Sequence, residues 1–138
     1  MKRESLDTSI IVRLITKDIE HLYLEAKNLV ETNKSRFFVS DAAIKEFVYV
    51  LVNHYGLSRT QTADAMNVLF NVKSIDCNRD LARASVDLFL ENKTLSFEDC
   101  YLAASADYMN ATPLWTFDKD LAKKASSAKL LTAGSRRE

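Results

Sequence analysis

Glycine and proline are scarce in this sequence. The 138 residues include two glycines and one proline. Because tight turns consume these residues, their scarcity argues against a β-sandwich built from many short hairpins. Hydrophobic residues make up 47% of the chain, which is ample for the core of one domain of this length. The composition predicts a single domain, which we place at residues 1–133, followed by a loose tail at 134–138.

Cysteine, excess charge and long apolar runs are also lacking. Cys77 and Cys100 are too few for a disulfide framework, and neither belongs to a zinc-binding CxxC or Cys/His cluster. Nineteen basic residues balance nineteen acidic ones, so the net charge gives no sign of a nucleic-acid partner, although a local basic rim is still compatible with it. No segment approaches the roughly 20 apolar residues of a membrane-spanning helix, and no signal peptide is recognisable. We therefore expect a soluble cytoplasmic protein with no membrane partner.

Strand-like and helix-like hydrophobic patterns alternate along the chain. Short strands are predicted at residues 5–7, 36–40, 72–75, 114–117 and 129–132. Amphipathic helices are predicted between them, including those at 19–32, 42–54, 78–92 and 119–125. Asp41 is the predicted N-cap of the helix at 42–54, and Ser58 is the predicted N-cap of the helix that follows it. Parallel strands need crossover connections of this kind. The pattern therefore predicts an α/β fold with a mainly parallel central sheet of about five short strands, flanked by helices.

Three acidic residues occupy positions where such a fold collects ligands. Asp7 ends the first predicted strand and Asp118 follows the fourth, and the carboxyl ends of parallel strands are where ligands bind. Asp99 opens a helix and shares a face, expected to be buried, with residues at offsets of three, four and seven: Leu102, Ala103 and Ala106. A carboxylate on a buried face needs a proton, a partner or a cation. Asp118 could share that partner.

Each acid also has an ordinary structural role open to it. Asp7 could be a solvated turn residue or a helix cap, but its apolar flanks favour a functional role. Asp118 is an equally good N-cap for the helix that follows it. Asp99 could simply complement a helix dipole, although its apolar neighbours favour a site. Glu46 lies at the edge of the inward stripe of its helix, and its spacing alone favours a surface role.

Four blocks of the sequence resemble, in the right order, the four acidic blocks of PIN-domain ribonucleases. They read LDTSIIVRL from residue 6, VSDAAIKEFVYVL from residue 39, FEDCYLAA from residue 97 and TFDKDLA from residue 116. The resemblance spans nearly the whole chain, and it is closest to the toxins of VapBC toxin–antitoxin pairs. The Tyr-Gly-Leu-Ser turn at residues 55–58 also resembles the family's. It implies a PIN-like fold and identifies an acidic quartet consisting of Asp7, Glu46, Asp99 and Asp118.

The neighbours of these acids largely follow the family pattern. Thr8 and Thr116 match polar positions that commonly flank the site, where they would support the acids. Ser9 stands where Asn is usual, and Cys100 stands where a small Ala is common. None of these departures removes an acid.

The resemblance implies a metal-dependent endoribonuclease that hydrolyses RNA phosphodiester bonds. Converging carboxylates repel one another unless a cation lies between them, and Mg²⁺ or Mn²⁺ prefers oxygen ligands. All four acids would hold that ion, directly or through water, with Glu46 also available to orient the attacking water. A toxin of this class is expected to form a homodimer and to bind an antitoxin. Basic residues near the acids in sequence would hold the RNA: Arg13, Lys45, Lys119 and Lys123.

Other interpretations are compatible with the same sequence. The chain could be a housekeeping PIN ribonuclease, or a PIN-like module that binds RNA or protein without catalysis. Phosphotransfer on an aspartate, as in haloacid-dehalogenase-like enzymes, is disfavoured because Ser9 stands where a second Asp is required.

Overall fold

Helices and short strands alternate through the whole described part of the chain. The structure, a computed structural model, describes residues 3–32 and 34–134. Of the predicted tail, 135–138 therefore lie outside the described residues. The elements in chain order are β1 (Arg3–Ser5), α1 (Thr8–Thr16), α2 (Glu20–Thr32), β2 (Arg36–Phe38), α3 (Asp41–Asn53), α4 (Arg59–Phe70), β3 (Ile75–Asp76), α5 (Arg79–Glu91), α6 (Phe97–Tyr108), β4 (Leu114–Thr116), α7 (Lys119–Lys124) and β5 (Ala128–Leu130). The chain divides into two compact units, Met1–Arg79 and Asp80–Glu138.

The first unit contains a three-stranded parallel sheet in the order β1-β2-β3. Phe37 of β2 is paired with Glu4 on one side and Ile75 on the other, and Phe37 and Ile75 are both buried. Helices α1, α3 and α4 contact one another and supply most of the remaining fully buried side chains. These include Ile11, Ile44, Phe47, Leu51, Met66 and Leu69. The core is aliphatic and aromatic, as the periodicity of these helices predicts.

The second unit contains a two-stranded parallel sheet formed by β4 and β5, with α7 as the crossover between them. Phe97 makes edge-to-face contacts with Phe89 on α5 and Tyr101 on α6, at ring-centroid distances of 5.5 and 5.7 Å. Such contacts join aromatic rings in a favourable quadrupole geometry. Leu121 of α7 and Ala125, which follows the helix, are both buried.

The predicted α/β class and its parallel strand pairing are confirmed. Five short strands are present in the described residues, and every strand pair is parallel. The hydrogen bonds group them as a sheet of three and a sheet of two, where the sequence predicted one central sheet. Periodicity locates strands, but it does not encode which strand edges pair, because pairing depends on contacts distant in sequence.

Several element boundaries differ from the prediction. β1 ends at Ser5, so Asp7 lies beyond the strand rather than within it. The predicted N-cap Asp41 is wrong, because the Ser40 hydroxyl accepts the hydrogen bond from the Ala43 N–H at 3.2 Å. The helix that the sequence predicted to open at Asp99 begins two residues earlier, because α6 starts at Phe97. These shifts of one to two residues reflect local backbone geometry that composition alone does not resolve.

The face predicted to be buried on α6 is only partly buried. Ala103 is fully buried and Ala106 is 9% exposed, as expected from their spacing. Leu102 is 46% exposed, so the prediction is wrong at that position. Leu102 lies at the edge of this helical face, and only the inner part of the face meets the core. Among the described residues, no helix is long and apolar enough to cross a membrane.

Candidate active site

Asp7 is the N-cap of α1 and is exposed to solvent. Its Oδ2 accepts hydrogen bonds from the Ser9 hydroxyl at 2.7 Å and from the Ser9 N–H at 3.2 Å. These bonds, led by the hydroxyl, hold the pKa of Asp7 below its ordinary value. The residue that replaces the usual Asn therefore contacts the acid directly and favours its ionised form.

Thr8 connects the start of α1 to Glu46 on α3. The Thr8 side chain is buried, and its hydroxyl donates a hydrogen bond to Glu46 Oε1 at 3.0 Å. The same hydroxyl lies 3.5 Å from the carbonyl oxygen of Ala43, one turn earlier on α3. Glu46 is exposed, so the hydroxyl orients one of its oxygens while its carboxylate faces solvent.

Asp7 and Glu46 line one cleft of about 530 Å³ in the first unit. Its remaining lining comes from α1, α3 and the segments that follow them: Thr8, Ser9, Val12, Arg13, Asp18, Ile19, Val50, His54 and Tyr55. The sequence predicted the two acids to belong to one site, and the structure brings them to one cavity. A cleft with a few convergent polar groups is the usual form of a ligand site.

Arg13, Asp18 and Tyr55 form a hydrogen-bonded cluster in the same cleft. Arg13 Nη1 donates to both Asp18 oxygens at 3.1 Å, and the Tyr55 hydroxyl donates to Asp18 Oδ2 at 2.6 Å. The Tyr55 hydroxyl, together with Thr16 and Arg13, lowers the pKa of Asp18 to about 2. Arg13 was predicted to hold RNA, and here its charge is paired with a carboxylate.

No local pattern in the sequence indicates the cluster of Arg13, Asp18 and Tyr55. Asp18 lies five residues after Arg13, a spacing with no helical meaning, and the two meet because Lys17 adopts a left-handed conformation with φ 58°. Tyr55 lies in a turn after α3, where Gly56 also has a positive φ. The only sequence signal was the likeness of the Tyr-Gly-Leu-Ser turn to the family, which gave no partner for the tyrosine.

Asp118 is the N-cap of α7 in the second unit. Its Oδ1 accepts hydrogen bonds from the Asp120 N–H at 2.9 Å and the Leu121 N–H at 3.1 Å. Its own N–H donates to Thr116 Oγ1 at 2.9 Å. Thr116 therefore fixes the backbone that carries the acid. A carboxylate has about four acceptor sites, so capping a helix leaves capacity for a further ligand.

Asp99 lies in the first turn of α6 and is partly buried. Its N–H donates to the hydroxyl of Ser96, the N-cap of that helix, at 3.1 Å. Burial raises the pKa of Asp99, and the carboxylate of Asp118 raises it further. The two acids of the second unit thus lie close enough for their like charges to interact.

The donor chemistry of both acid pairs suits a hard divalent cation. All four side chains offer carboxylate oxygens, the ligands that Mg²⁺ and Mn²⁺ prefer. A cation beside Asp99 and Asp118 would offset the repulsion that raises the pKa of Asp99. Among residues 3–32 and 34–134, no group of three or more His, Cys, Asp or Glu side chains is arranged to hold a metal ion. Asp7 and Glu46 belong to the first unit, and Asp99 and Asp118 belong to the second.

The family model of the PIN domain matches residues 5–126, a range that includes all four acids. No curated protein matches the chain significantly. A similar solved structure is the crystal structure of VapBC2 from Rickettsia felis bound to a DNA fragment from their promoter. The similarity has a TM-score of 0.39 and 18% sequence identity, and covers 94% of this chain and 97% of the other.

Proposed function

Because the chain belongs to the PIN-domain family, whose members are generally nucleases that use divalent metal ions, we propose that it is a metal-dependent endoribonuclease hydrolysing RNA phosphodiester bonds. The observation that carries the proposal is the family match over residues 5–126, together with an unbroken acidic quartet inside it. We assign the nuclease domain to residues 1–133.

In this proposal Asp7, Glu46, Asp99 and Asp118 hold Mg²⁺ or Mn²⁺. A bound ion of this kind lowers the pKa of a coordinated water and neutralises charge on the phosphate. The chain's own residues prepare the acids for that task. Ser9 keeps Asp7 ionised, and the Thr8 hydroxyl fixes one oxygen of Glu46, which leaves the other to orient the attacking water.

The second unit contains a carboxylate, that of Asp99, whose ionised form a cation would stabilise. Asp99 has a raised pKa, so it binds a proton more readily than an ordinary aspartate. Asp99 and Asp118 would hold a divalent ion in place of that proton, and the charge of the ion would offset their mutual repulsion. Thr116 supports Asp118 by accepting a hydrogen bond from its N–H, which keeps the carboxylate at the end of β4.

Basic residues close to the acids support RNA as the substrate. Lys119 follows Asp118 directly and is exposed, as is Lys123 one turn later on α7. Lys45 precedes Glu46 on α3. Arg13 belongs to the same group in sequence, although its pairing with Asp18 makes it a weaker phosphate ligand than the exposed Lys119 and Lys123.

We further propose that the protein is the toxin of a type II toxin–antitoxin pair, forming a homodimer and binding a cognate antitoxin. The support is the likeness of all four sequence blocks to VapBC toxins. A housekeeping PIN ribonuclease would share the chemistry without the partner. Co-expression with the product of a neighbouring small reading frame distinguishes the two, because an antitoxin forms a stable complex and suppresses cleavage.

The activity is tested by incubating purified protein with mixed cellular RNA in Mg²⁺ or Mn²⁺, and in EDTA. Discrete fragments are expected only with the metal ions. Asp7→Asn and Asp99→Asn should each reduce cleavage at least about 100-fold, because each removes a charged metal ligand. Asp107→Asn, which changes an exposed acid on the same helix as Asp99, should leave cleavage unchanged.

Two results contradict this proposal. Wild-type protein that is folded and free of antitoxin but cleaves nothing in either metal would favour an RNA-binding or protein-binding module. Equal cleavage by wild type, Asp7→Asn and Asp99→Asn would place the active site elsewhere.

A further inference from the structure

An exposed face at the end of the β4–β5 sheet carries two aromatic rings and a lysine: Trp115 and Lys129 lie in the strands, and Phe117 follows β4 directly. Phe117 is 78% exposed, the largest exposed fraction of any large hydrophobic side chain in the described part of the chain. Trp115 is 37% exposed. Lys129 is paired with Trp115 across the sheet, and its Nζ lies 5.4 Å from the centroid of the Trp115 ring. Burial of an aromatic ring is strongly favourable, so two exposed rings beside a cation indicate a binding surface.

Trp115 is the outward residue of β4, and Phe117 follows the strand directly. Leu114 and Thr116, which flank Trp115, are less exposed, as the alternation of side chains along a strand requires. Phe117 lies between Thr116 and Asp118, so its ring is mounted next to an acid of the proposed active site.

The backbone under Phe117 is held on both sides. The Asp118 N–H donates to Thr116 Oγ1, and the Asp118 carboxylate caps α7. On the strand side, the Leu131 N–H donates to the Thr116 carbonyl at 2.8 Å. The exposed ring therefore has a fixed support, unlike a side chain on a loop tip. A rigidly mounted aromatic loses little conformational entropy when a ligand stacks on it.

We propose that Phe117 is a stacking platform for a nucleobase of single-stranded RNA beside the scissile phosphate, and that Lys129, held over Trp115, contacts the RNA backbone. The inference rests on the proposed ribonuclease function and names its substrate class. Unpaired bases stack on aromatic side chains, whereas the bases of a duplex are covered by their neighbours. Lys119, Lys123 and Lys129 provide the positive charge that a phosphate chain needs when it approaches Asp99 and Asp118.

The sole tryptophan gives a direct test, since Trp115 lies on this face. Its fluorescence is followed while 12-nucleotide oligo(A) is added to the full chain in EDTA, where no cleavage is expected. Oligo(A) should quench the signal. Phe117→Ala should weaken binding by about 5- to 150-fold, because loss of one base–aromatic stack costs about 1–3 kcal/mol. Phe117→Tyr keeps the ring and should retain wild-type affinity.

Matched controls separate stacking from charge and from folding. Tyr108→Ala removes another exposed aromatic of the second unit and should leave affinity unchanged. Lys129→Gln should reduce the slope of log affinity against log salt by about 0.7, the contribution of one phosphate contact on a single strand. Inorganic polyphosphate, which has no bases, should bind wild type and Phe117→Ala equally. Thermal unfolding of Phe117→Ala should match wild type, because the ring is exposed.

The possible failures are distinguishable. If Phe117→Ala binds oligo(A) as tightly as wild type, or if duplex RNA binds as well as oligo(A), the stacking platform is refuted. A wild-type dimer that dissociates in Phe117→Ala, with RNA affinity unchanged, would assign the face to a second copy of the chain and overturn the proposal. If binding depends on Phe117 but wild type cleaves no RNA in Mg²⁺ or Mn²⁺, the platform is supported and the ribonuclease function fails.

Discussion

Their surroundings shift the pKa values of two acids of the quartet, Asp7 and Asp99, in opposite directions. Ser9 donates two hydrogen bonds to Asp7 and lowers its pKa, whereas burial and the Asp118 carboxylate raise the pKa of Asp99. Asp7 is thus a permanent anion at neutral pH. The ionised form of Asp99 is disfavoured by burial and by the charge of Asp118, and a bound cation would stabilise it. Perturbed carboxylates of this kind concentrate at functional sites.

Replacing Asp99 by Asn should stabilise the protein while abolishing cleavage. The folded-state pKa of Asp99 lies above its unfolded value, so the native state binds the proton more tightly. Stability from this group is therefore fully present below the unfolded pKa and is lost as pH rises towards the folded pKa. At neutral pH without metal, Asp99→Asn should unfold at a higher temperature than wild type, and the difference should shrink at acidic pH.

Thermal unfolding between pH 4 and pH 8 measures this effect, with Asp107→Asn as the control acid on α6. Added Mg²⁺ should raise the midpoint of wild type through linkage, and it should raise that of Asp99→Asn less. If wild type is more stable than Asp99→Asn at pH 7 in EDTA, the raised pKa assigned to Asp99 is contradicted.

At the scale of elements, side-chain caps decide where the helices begin. Ser40, Ser58 and Ser96 cap α3, α4 and α6, and the two site acids Asp7 and Asp118 cap α1 and α7. The Ser58 cap was predicted from the sequence and is confirmed. The α3 cap was misassigned because Ser40 and Asp41 are equally suitable by type. Only the extended backbone of Ser40, with φ −71° and ψ 162°, distinguishes them.

The cap of α4 should be among the most sensitive surface positions of the first unit. Ser58 and Gln61 form a capping box, in which the Ser58 hydroxyl accepts from the Gln61 N–H at 3.1 Å and Gln61 Oε1 accepts from the Ser58 N–H at 2.9 Å. Ser58→Ala should lower the free energy of unfolding by about 1 kcal/mol. Urea denaturation tests this, with the exposed Thr60→Ala in the same turn as a control near zero. If Ser58→Ala and Thr60→Ala change the free energy of unfolding equally, the stabilising role assigned to the Ser58 cap is contradicted.

For the molecule as a whole, local pattern predicted more than long-range pairing. The α/β class, the parallel pairing and the order of elements follow from periodicity and from crossover connections. The division of strands into sheets of three and two does not, because strand pairing joins residues tens of positions apart. The Asp18–Tyr55 bond was missed for the same reason, since it joins residues 37 positions apart.

The candidate site was located by resemblance more than by spacing. Asp7, Asp99 and Asp118 were noticed from their positions, but Glu46 was promoted only by the likeness to PIN-domain ribonucleases. In the structure its carboxylate accepts a hydrogen bond from Thr8, a contact across 38 positions that no local pattern encodes. Exposure is equally hard to read from spacing, as Leu102 and Phe117 show.

The stability of the chain should depend strongly on the aromatic core of the first unit. Phe47 is fully buried on α3, whereas Tyr49, two residues later on the same helix, is 60% exposed. Phe47→Ala should lower the free energy of unfolding by about 3–5 kcal/mol, because it leaves a cavity in a close-packed interior. Tyr49→Ala should change it by less than about 0.5 kcal/mol. Comparable losses in a denaturant titration would contradict the burial assigned to the two side chains.

The double duty of Asp7 and Asp118 limits how this chain can change over generations. Each acid starts a helix as well as belonging to the proposed active site. Substitution by Ala would remove the cap and the charge together, whereas Asn or Ser removes the charge and keeps the cap. Homologues that have lost catalysis are therefore expected to have Asn, Ser or Thr at these two positions, and to be folded but inactive. For the same reason, Asn is the replacement with which an inactive form can be produced and purified in its native fold.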